Sequence, residues 1–388
     1  MGAGRPTVLS CRIVLLALRE ISRAKARFGL LTGAIGLLVF LILFQQGLLG
    51  GLVTGFIGAV DNQRSPVLVF NEQARRNVEG SFLTIEQAEA VAEVDGVAEV
   101  GLVGEGTYTV AAGGELRDAV LFGYELGGLG EPLTLSEGRL PEGPDEGVAS
   151  AADVDKGFAI GDTVEIIGDD GPTIAIVGVG EDLRWSVAPT VFVDYGTYEA
   201  AQRAVNPSAP VVLPSLVAVA PDDGVSGDEV TDRIDAAVPG TEALTRQEAV
   251  DGNPGVQGVN QSFNIILGLA FLVVALVVGF FFLILTVQKA KALTLLRAVG
   301  APSGYLVRNL LAQISLILGA GIFSGIVLVW LVGAVSPTGD VAVDLQPRDV
   351  LSTAIGLVVI SLLGGVVSIR RVLRIDPLRA TLDSSREL

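Results

Sequence analysis

Four long apolar runs constrain the fold of this 388-residue chain more than any other feature. They are Phe28 to Gly50, Phe263 to Val287, Leu310 to Val335 and Val350 to Ile369, and none carries a charge in its interior. A helix rising ~1.5 Å per residue needs roughly 20 residues to cross ~30 Å of hydrocarbon, so each run is long enough to span a bilayer. A cleavable signal peptide would also place basic residues ahead of an apolar run. The first run, however, is about twice as long as the apolar core of such a peptide, and no small-residue cleavage site follows it. The expected fold is therefore an α-helical integral membrane protein with four transmembrane helices. The long segment 61–262 is expected to form an α+β domain inserted between helices 1 and 2.

Charge sets the expected orientation. The segments 1–27, 288–309 and 370–388 together hold fifteen basic residues against four acidic ones, whereas the rest of the chain holds eleven against thirty-nine. Positive segments stay in the cytoplasm. This places a basic N-terminal helix (1–27), the loop 288–309 and the tail 370–388 inside, so both termini are cytoplasmic and the chain is multi-pass in the plasma membrane. The segment 61–262 and the loop 336–349 are then outside. A strongly anionic outer domain argues against nucleic acid as a partner. The chain has one cysteine, Cys11, and no histidine, which excludes a disulfide framework, a thiolate or imidazole metal site and a histidine general base.

Within the outer segment, Pro66 to Phe70 reads as a strand, and Thr84-Ile-Glu-Gln87 as a capping box opening a helix through Glu93. Strands are expected at Val97–Val103, Tyr108–Ala111 and Ala119–Tyr124, and again at Leu216–Ala220, with a second helix from Asp228 to Val238. Two strand–helix–strand units predict ferredoxin-like halves at about 61–130 and 196–250. Between them, about 131–195, Gly and Pro punctuate short β runs, which reads as a β insert. The apolar character of the first span continues to Val60, so 28–60 is expected to be transmembrane helix 1 together with a stalk. Gly47, Gly51, Gly55 and Gly58 fall on one face of that helix, a pattern that lets helices approach closely, and are expected at a homodimer contact.

One span, a domain of about 200 residues and three further spans (263–287, 310–335 and 350–369) is an order that resembles the MacB/FtsX-like ABC permease superfamily. The stretch Thr286-Val-Gln-Lys-Ala-Lys-Ala-Leu-Thr-Leu-Leu-Arg-Ala-Val-Gly300 is similar to that family's loop after span two. Arg374-Ile-Asp-Pro-Leu-Arg-Ala380 is similar to its carboxy-terminal phrase. Within the superfamily the wording is most similar to HrtB-type permeases, which pair with a separate ATPase to expel haem. The resemblance implies a permease subunit and not an enzyme. No Gly-x-x-x-x-Gly-Lys-Ser/Thr phosphate loop occurs in the sequence, so ATP and Mg²⁺ would be bound by a partner ATPase, two copies of it on a homodimer of this chain. The expected coupling element is the basic helix Ala290–Val299, with Lys291, Leu295, Arg297 and Val299 as its contacts. Its residues Leu293, Leu296 and Val299 recur every third position, an apolar stripe that a free polar loop would not need.

In this superfamily the resemblance implies cargo taken from the outer leaflet, so candidate contacts lie at the outer ends of spans one and two. These are Phe44, Gln45, Phe56 and Arg64 on one, and Asn260, Phe263 and Asn264 on the other. An unpaired amide in hydrocarbon costs a few kcal/mol, so Gln45 and Gln46 are expected to face protein, cavity or ligand. The chain itself is expected to bind no cofactor and no metal. Haem stands only as candidate cargo, and without histidine it would be held by carboxylate, amide or tyrosine oxygen or by aromatic stacking. Three functions stay open at this point: export of haem or a similar hydrophobic small molecule, export of peptides, lipids or lipid-linked proteins, and FtsX-like mechanotransmission to a cell-wall hydrolase.

Overall fold

The computed structural model describes residues 25–208, 211–298, 303–335 and 347–373. The chain divides into two compact units. One, the helix unit, takes in the chain up to Leu48 with Ser262–Pro337 and Val343–Leu388; the other, the sheet unit, is built on Leu49–Gln261.

In the sheet unit, the strands β1 (Val67–Asn71), β2 (Val97–Ala112), β9 (Leu216–Pro221) and β10 (Thr241–Thr245) pair antiparallel in the order β10-β1-β9-β2. This is the interleaved order of two strand–helix–strand repeats, the ferredoxin-like arrangement. The crossovers are α2 (Ile85–Ala92) and α4 (Gly227–Ala237). Helix α2 starts where its capping box dictates: the Gln87 N–H donates to Thr84 Oγ1 at 3.2 Å and the Thr84 N–H to Gln87 Oε1 at 3.0 Å. Strand period sorts the core into two faces. Val67 and Val69 pack with Val91, Val230 and Ile234 of the helices, while Leu68 and Phe70 join a separate core with Ile57, Ala59 and Val60.

The β insert is larger than its sequence punctuation implies. Two strands were expected at 97–103 and 108–111, but β2 is continuous for 16 residues; its first half pairs with β9 and its second with β3 (Glu115–Tyr124). Gly113 and Gly114, at φ 60° and 81°, make the two-residue turn between them, which requires left-handed backbone at both positions. Gly104 lies in mid-strand, between the two expected runs, where a Cβ would overlap the Tyr198 ring. The insert thus opens at this hairpin, not near residue 131. It continues through β4 (Leu135–Gly138), β5 (Glu146–Ser150), β6 (Thr163–Ile166), β7 (Thr173–Gly180) and β8 (Thr190–Asp194), and ends with α3 (Tyr195–Val205).

The helix unit contains most of α1 (Lys25–Asp61), most of α6 (Pro254–Ala298), α7 (Ser303–Val335) and α8 (Pro347–Leu373). A seven-residue helix, α5 (Arg246–Gly252), precedes α6. Among the described residues, three segments are long and apolar enough to cross a membrane: Phe28–Asp61, Pro254–Phe280 and Ser315–Gly333. The fourth expected span, 350–369, lies inside the continuous helix α8, whose side chains are described only as far as Ile360. Helices α1 and α7 approach through small residues. A Cβ on Gly321 would stand 2.5 Å from Ile35 Cγ2, and one on Gly325 2.6 Å from Val39 Cγ1. Close backbone approach of this kind replaces the hydrophobic effect, which is absent between helices in lipid.

Candidate functional site

The outer turns of α1 are built into the sheet unit. Ile57, Ala59 and Val60 are buried beside Phe122, Trp185 and Phe192. The segment Glu181–Ala188, between β7 and β8, lies against the helix backbone to backbone. The Ser186 N–H donates to the Phe56 carbonyl at 3.1 Å and the Val187 N–H to the Gly55 carbonyl at 2.7 Å, while the Ala59 N–H donates to the Arg184 carbonyl at 3.0 Å. Asn62 Nδ2 donates to the Asp182 carbonyl at 2.9 Å. This approach depends on Gly58, where a Cβ would overlap the Asp182 carbonyl oxygen. Gly55 faces Val187. The face expected at a contact between two copies is therefore covered, at Gly55 and Gly58, by the chain's own loop. Gly47 and Gly51 are also buried within the protomer.

The loop has a rigid base. Arg184, 6% exposed, donates through Nε to Asp153 Oδ2 at 2.9 Å and through Nη2 to Oδ1 at 2.5 Å, and Asp153 is fully buried. Lys156 Nζ also lies 3.3 Å from Asp153 Oδ1, so loss of Arg184 leaves the carboxylate one cation, whereas loss of Asp153 leaves the buried Arg184 without its carboxylate, which costs roughly 3–5 kcal/mol.

In the helix unit the two glutamines of α1 are tied to other helices. Gln45 Nε2 donates to the Phe263 carbonyl of α6 at 3.1 Å. Thr353 Oγ1 of α8 donates to Gln46 Oε1 at 2.7 Å. Their amides thus join α1 to α6 and α8, and each bond is worth about 1 kcal/mol in lipid. Phe44 is half-buried and stacks on Phe40 with ring centroids 5.7 Å apart. Phe263 is half-buried and Asn264 exposed.

The remaining cargo candidates belong to the sheet unit. Phe56 packs on its core, Asn260 is half-buried, and Arg64 is exposed with its N–H on the Glu131 carbonyl at 2.9 Å. At the other end, the expected loop 288–309 is mostly helix. Helix α6 runs unbroken to Ala298 and α7 begins at Ser303, so Lys291, Leu295 and Arg297 lie on the last turns of α6 and not on a separate helix. Their side chains, and Val299 altogether, lie outside the described residues, as do Cys11 and the phrase at 374–380.

Sequence reasoning passed over Glu105. It is 5% exposed, Oε1 has no hydrogen-bond partner among the described residues, and it shares a sheet face with its cross-strand neighbour Phe122. Burial, with the negative charge of Glu79 adding to it, pushes its carboxyl up to about 8. Within an alternating strand it reads as one more charged residue; only the sheet neighbours reveal that it faces inward.

Two family models match the chain: the MacB-like periplasmic core domain over residues 29–237, more than half of its length, and the FtsX-like permease C-terminal domain over residues 264–377. The chain belongs to the MacB/FtsX family of ABC transporter permeases. This permease is 22% identical over 367 residues to a protein of Staphylococcus haemolyticus named as a putative hemin transport system permease, HrtB, covering 94% of this chain and 98% of that one. It is 26% identical over 371 residues to an ABC transporter permease of Mycobacterium tuberculosis (strain H37Rv), covering 95% and 99%. The periplasmic region of MacB from Actinobacillus actinomycetemcomitans matches at 16% identity and a TM-score of 0.35, covering 48% of this permease and 89% of that chain. The family is one of membrane-spanning transporter subunits that work with an ATPase.

Proposed function

We infer that this permease is the membrane subunit of an exporter that expels haem or a similar hydrophobic small molecule, driven by ATP hydrolysis in a separate subunit. The observation that carries the reading is end-to-end similarity to permeases named for hemin transport, with no phosphate loop in the sequence. In this reading α8 is the fourth span, both termini are cytoplasmic in the plasma membrane, and two copies pair with two ATPase subunits. The end of α6, at Lys291, Leu295 and Arg297, with Val299 just beyond it, receives the ATPase stroke. Phe44, Phe263 and Asn264 of the helix unit contact cargo. Gln45, already bonded to Phe263, holds the helices that carry them.

The alternatives are export of peptides, lipids or lipid-linked proteins, and mechanotransmission to a cell-wall hydrolase. Haem titrated into the purified permease tests the cargo. Binding should give a Soret band without a bis-histidine signature, weakened by Phe44→Ala. If haem leaves no band while a peptide or lipid binds, the cargo assignment fails and the family assignment stands.

A further inference from the structure

Six non-glycine residues among those described have left-handed backbone, and three of them lie in the Glu181–Ala188 loop: Asp182 at φ 54°, Ser186 at φ 50° and Val187 at φ 60°. Val187 is the most costly, because a β-branched side chain is crowded by its own backbone there. Such residues persist only where surrounding contacts hold them. Here the contacts differ sharply along the loop. Leu183, Arg184 and Trp185 are buried, and Arg184 is locked to Asp153. Ser186 is exposed and Val187 half-buried; the Ala188 N–H closes the turn over them on the Trp185 carbonyl at 2.9 Å, and their own N–H groups donate to the Phe56 and Gly55 carbonyls of α1. Ser186 Oγ adds a bond to Glu79 Oε1 at 3.0 Å, and Glu79 is itself exposed. The base is seated in the sheet core and also bonds α1, while the strained tip is held by its own turn bond and by α1.

We propose that the Ser186–Val187 tip is a releasable latch on the outer turns of α1, set under strain by the left-handed backbone of Val187. Docked, its two N–H groups fix α1 to the β7–β8 end of the insert. Released, Val187 relaxes to ordinary backbone and the turn bond from the Ala188 N–H to the Trp185 carbonyl opens, while the Ala59–Arg184 and Asn62–Asp182 bonds keep α1 on the base of the loop. The gap at Gly58 makes docking selective, since any side chain there would meet the Asp182 carbonyl. That the tip releases during a transport cycle rests on the exporter reading; its docked position and its strained backbone rest on the geometry alone.

Hydrogen exchange measured on the full-length permease in nanodiscs tests both. Val187→Gly removes the strain and keeps both N–H donors, so exchange at positions 186 and 187 should slow roughly tenfold or more. Gly58→Ala should bring both amides to the rate of an open loop, while β1 and β10 exchange as in the wild type; if those strands also change, Asn62→Ala serves as the milder variant. In the complex with its ATPase, trapping with a non-hydrolysable nucleotide should raise exchange at 186 and 187 several-fold. Unchanged or faster exchange in Val187→Gly overturns the strained latch. Slower exchange in that variant, with no response to nucleotide in a complex that hydrolyses ATP, overturns its release during the cycle. A permease that couples to no ATPase at all would remove the exporter reading and leave the exchange results on the isolated chain to stand.

Discussion

Glu105→Gln should remove a pH dependence of stability that the buried carboxyl imposes on the sheet unit. In the unfolded chain this group titrates near 4.5, and in the fold it is pushed up to about 8 by burial. Between those values the native state holds a proton that the unfolded chain has released, so stability falls as pH rises through this window and levels off above it. A displacement of roughly 3.5 units corresponds to about 4–5 kcal/mol over the full window, of which about 3 kcal/mol falls between pH 6 and 9. Asp235 is raised by burial in the same direction and is unchanged in the Glu105→Gln comparison, so the difference between the two proteins isolates Glu105. Glu146, drawn down to about 2 by its bond to Arg139, loses its contribution only as pH falls below its unfolded value. Tyr108, Tyr124, Tyr195 and Tyr198 are all raised by burial, so their effect begins only above pH 10. The chain has two tryptophans, Trp185 buried in the sheet unit and Trp330 exposed in the helix unit. Urea unfolding followed by Trp185 fluorescence in a Trp330→Phe background therefore reports the sheet unit. Wild type should lose about 3 kcal/mol from pH 6 to 9 and the Glu105→Gln protein under 1 kcal/mol. Equal slopes in the two proteins would refute the argument.

Three further outcomes are expected. A double-mutant cycle on Gln46→Leu and Thr353→Val should give a coupling of about 0.6–1.7 kcal/mol, read as thermal stability in detergent, and zero coupling would remove that bond as a tie between α1 and α8. Gly325→Leu places side-chain atoms where Val39 already stands and should cost about 1–3 kcal/mol; unchanged stability would show that α1 and α7 do not pack as described. Arg297→Glu should weaken association with the ATPase or leave hydrolysis unresponsive to cargo, and wild-type coupling in this variant would move the coupling element elsewhere.

Local signals were legible in the sequence where one chemical rule acts over a few residues. The Thr84 capping box starts α2, and the charge-free run from Phe28 runs on into the long helix α1. What the sequence hides is the identity of the surface that meets a given side chain. Gly55 and Gly58 announce that something comes close to α1, but not that it is the chain's own loop at 182–187. Gln45 and Gln46 announce that each amide needs a partner, and the partners lie 218 and 307 residues away. The two runs expected at 97–103 and 108–111 join through Gly104, where the space above the backbone is filled by the Tyr198 ring of α3, a surface the strand itself does not announce. Glu105 fails for the same reason: nothing in its strand distinguishes an inward carboxylate from an outward one. The candidate cargo contacts share one property in the sequence, their depth along each helix. Depth alone does not separate Phe44, stacked on Phe40, from Phe56, packed on the sheet core.

The central claim is tested most directly by ATP hydrolysis of the permease reconstituted in nanodiscs with its ATPase subunit, measured with and without haem. The account predicts no hydrolysis by the permease alone, basal hydrolysis by the complex, and a several-fold rise on adding haem that Phe44→Ala diminishes. Hydrolysis that ignores haem and rises instead with a peptide or a lipid would contradict it.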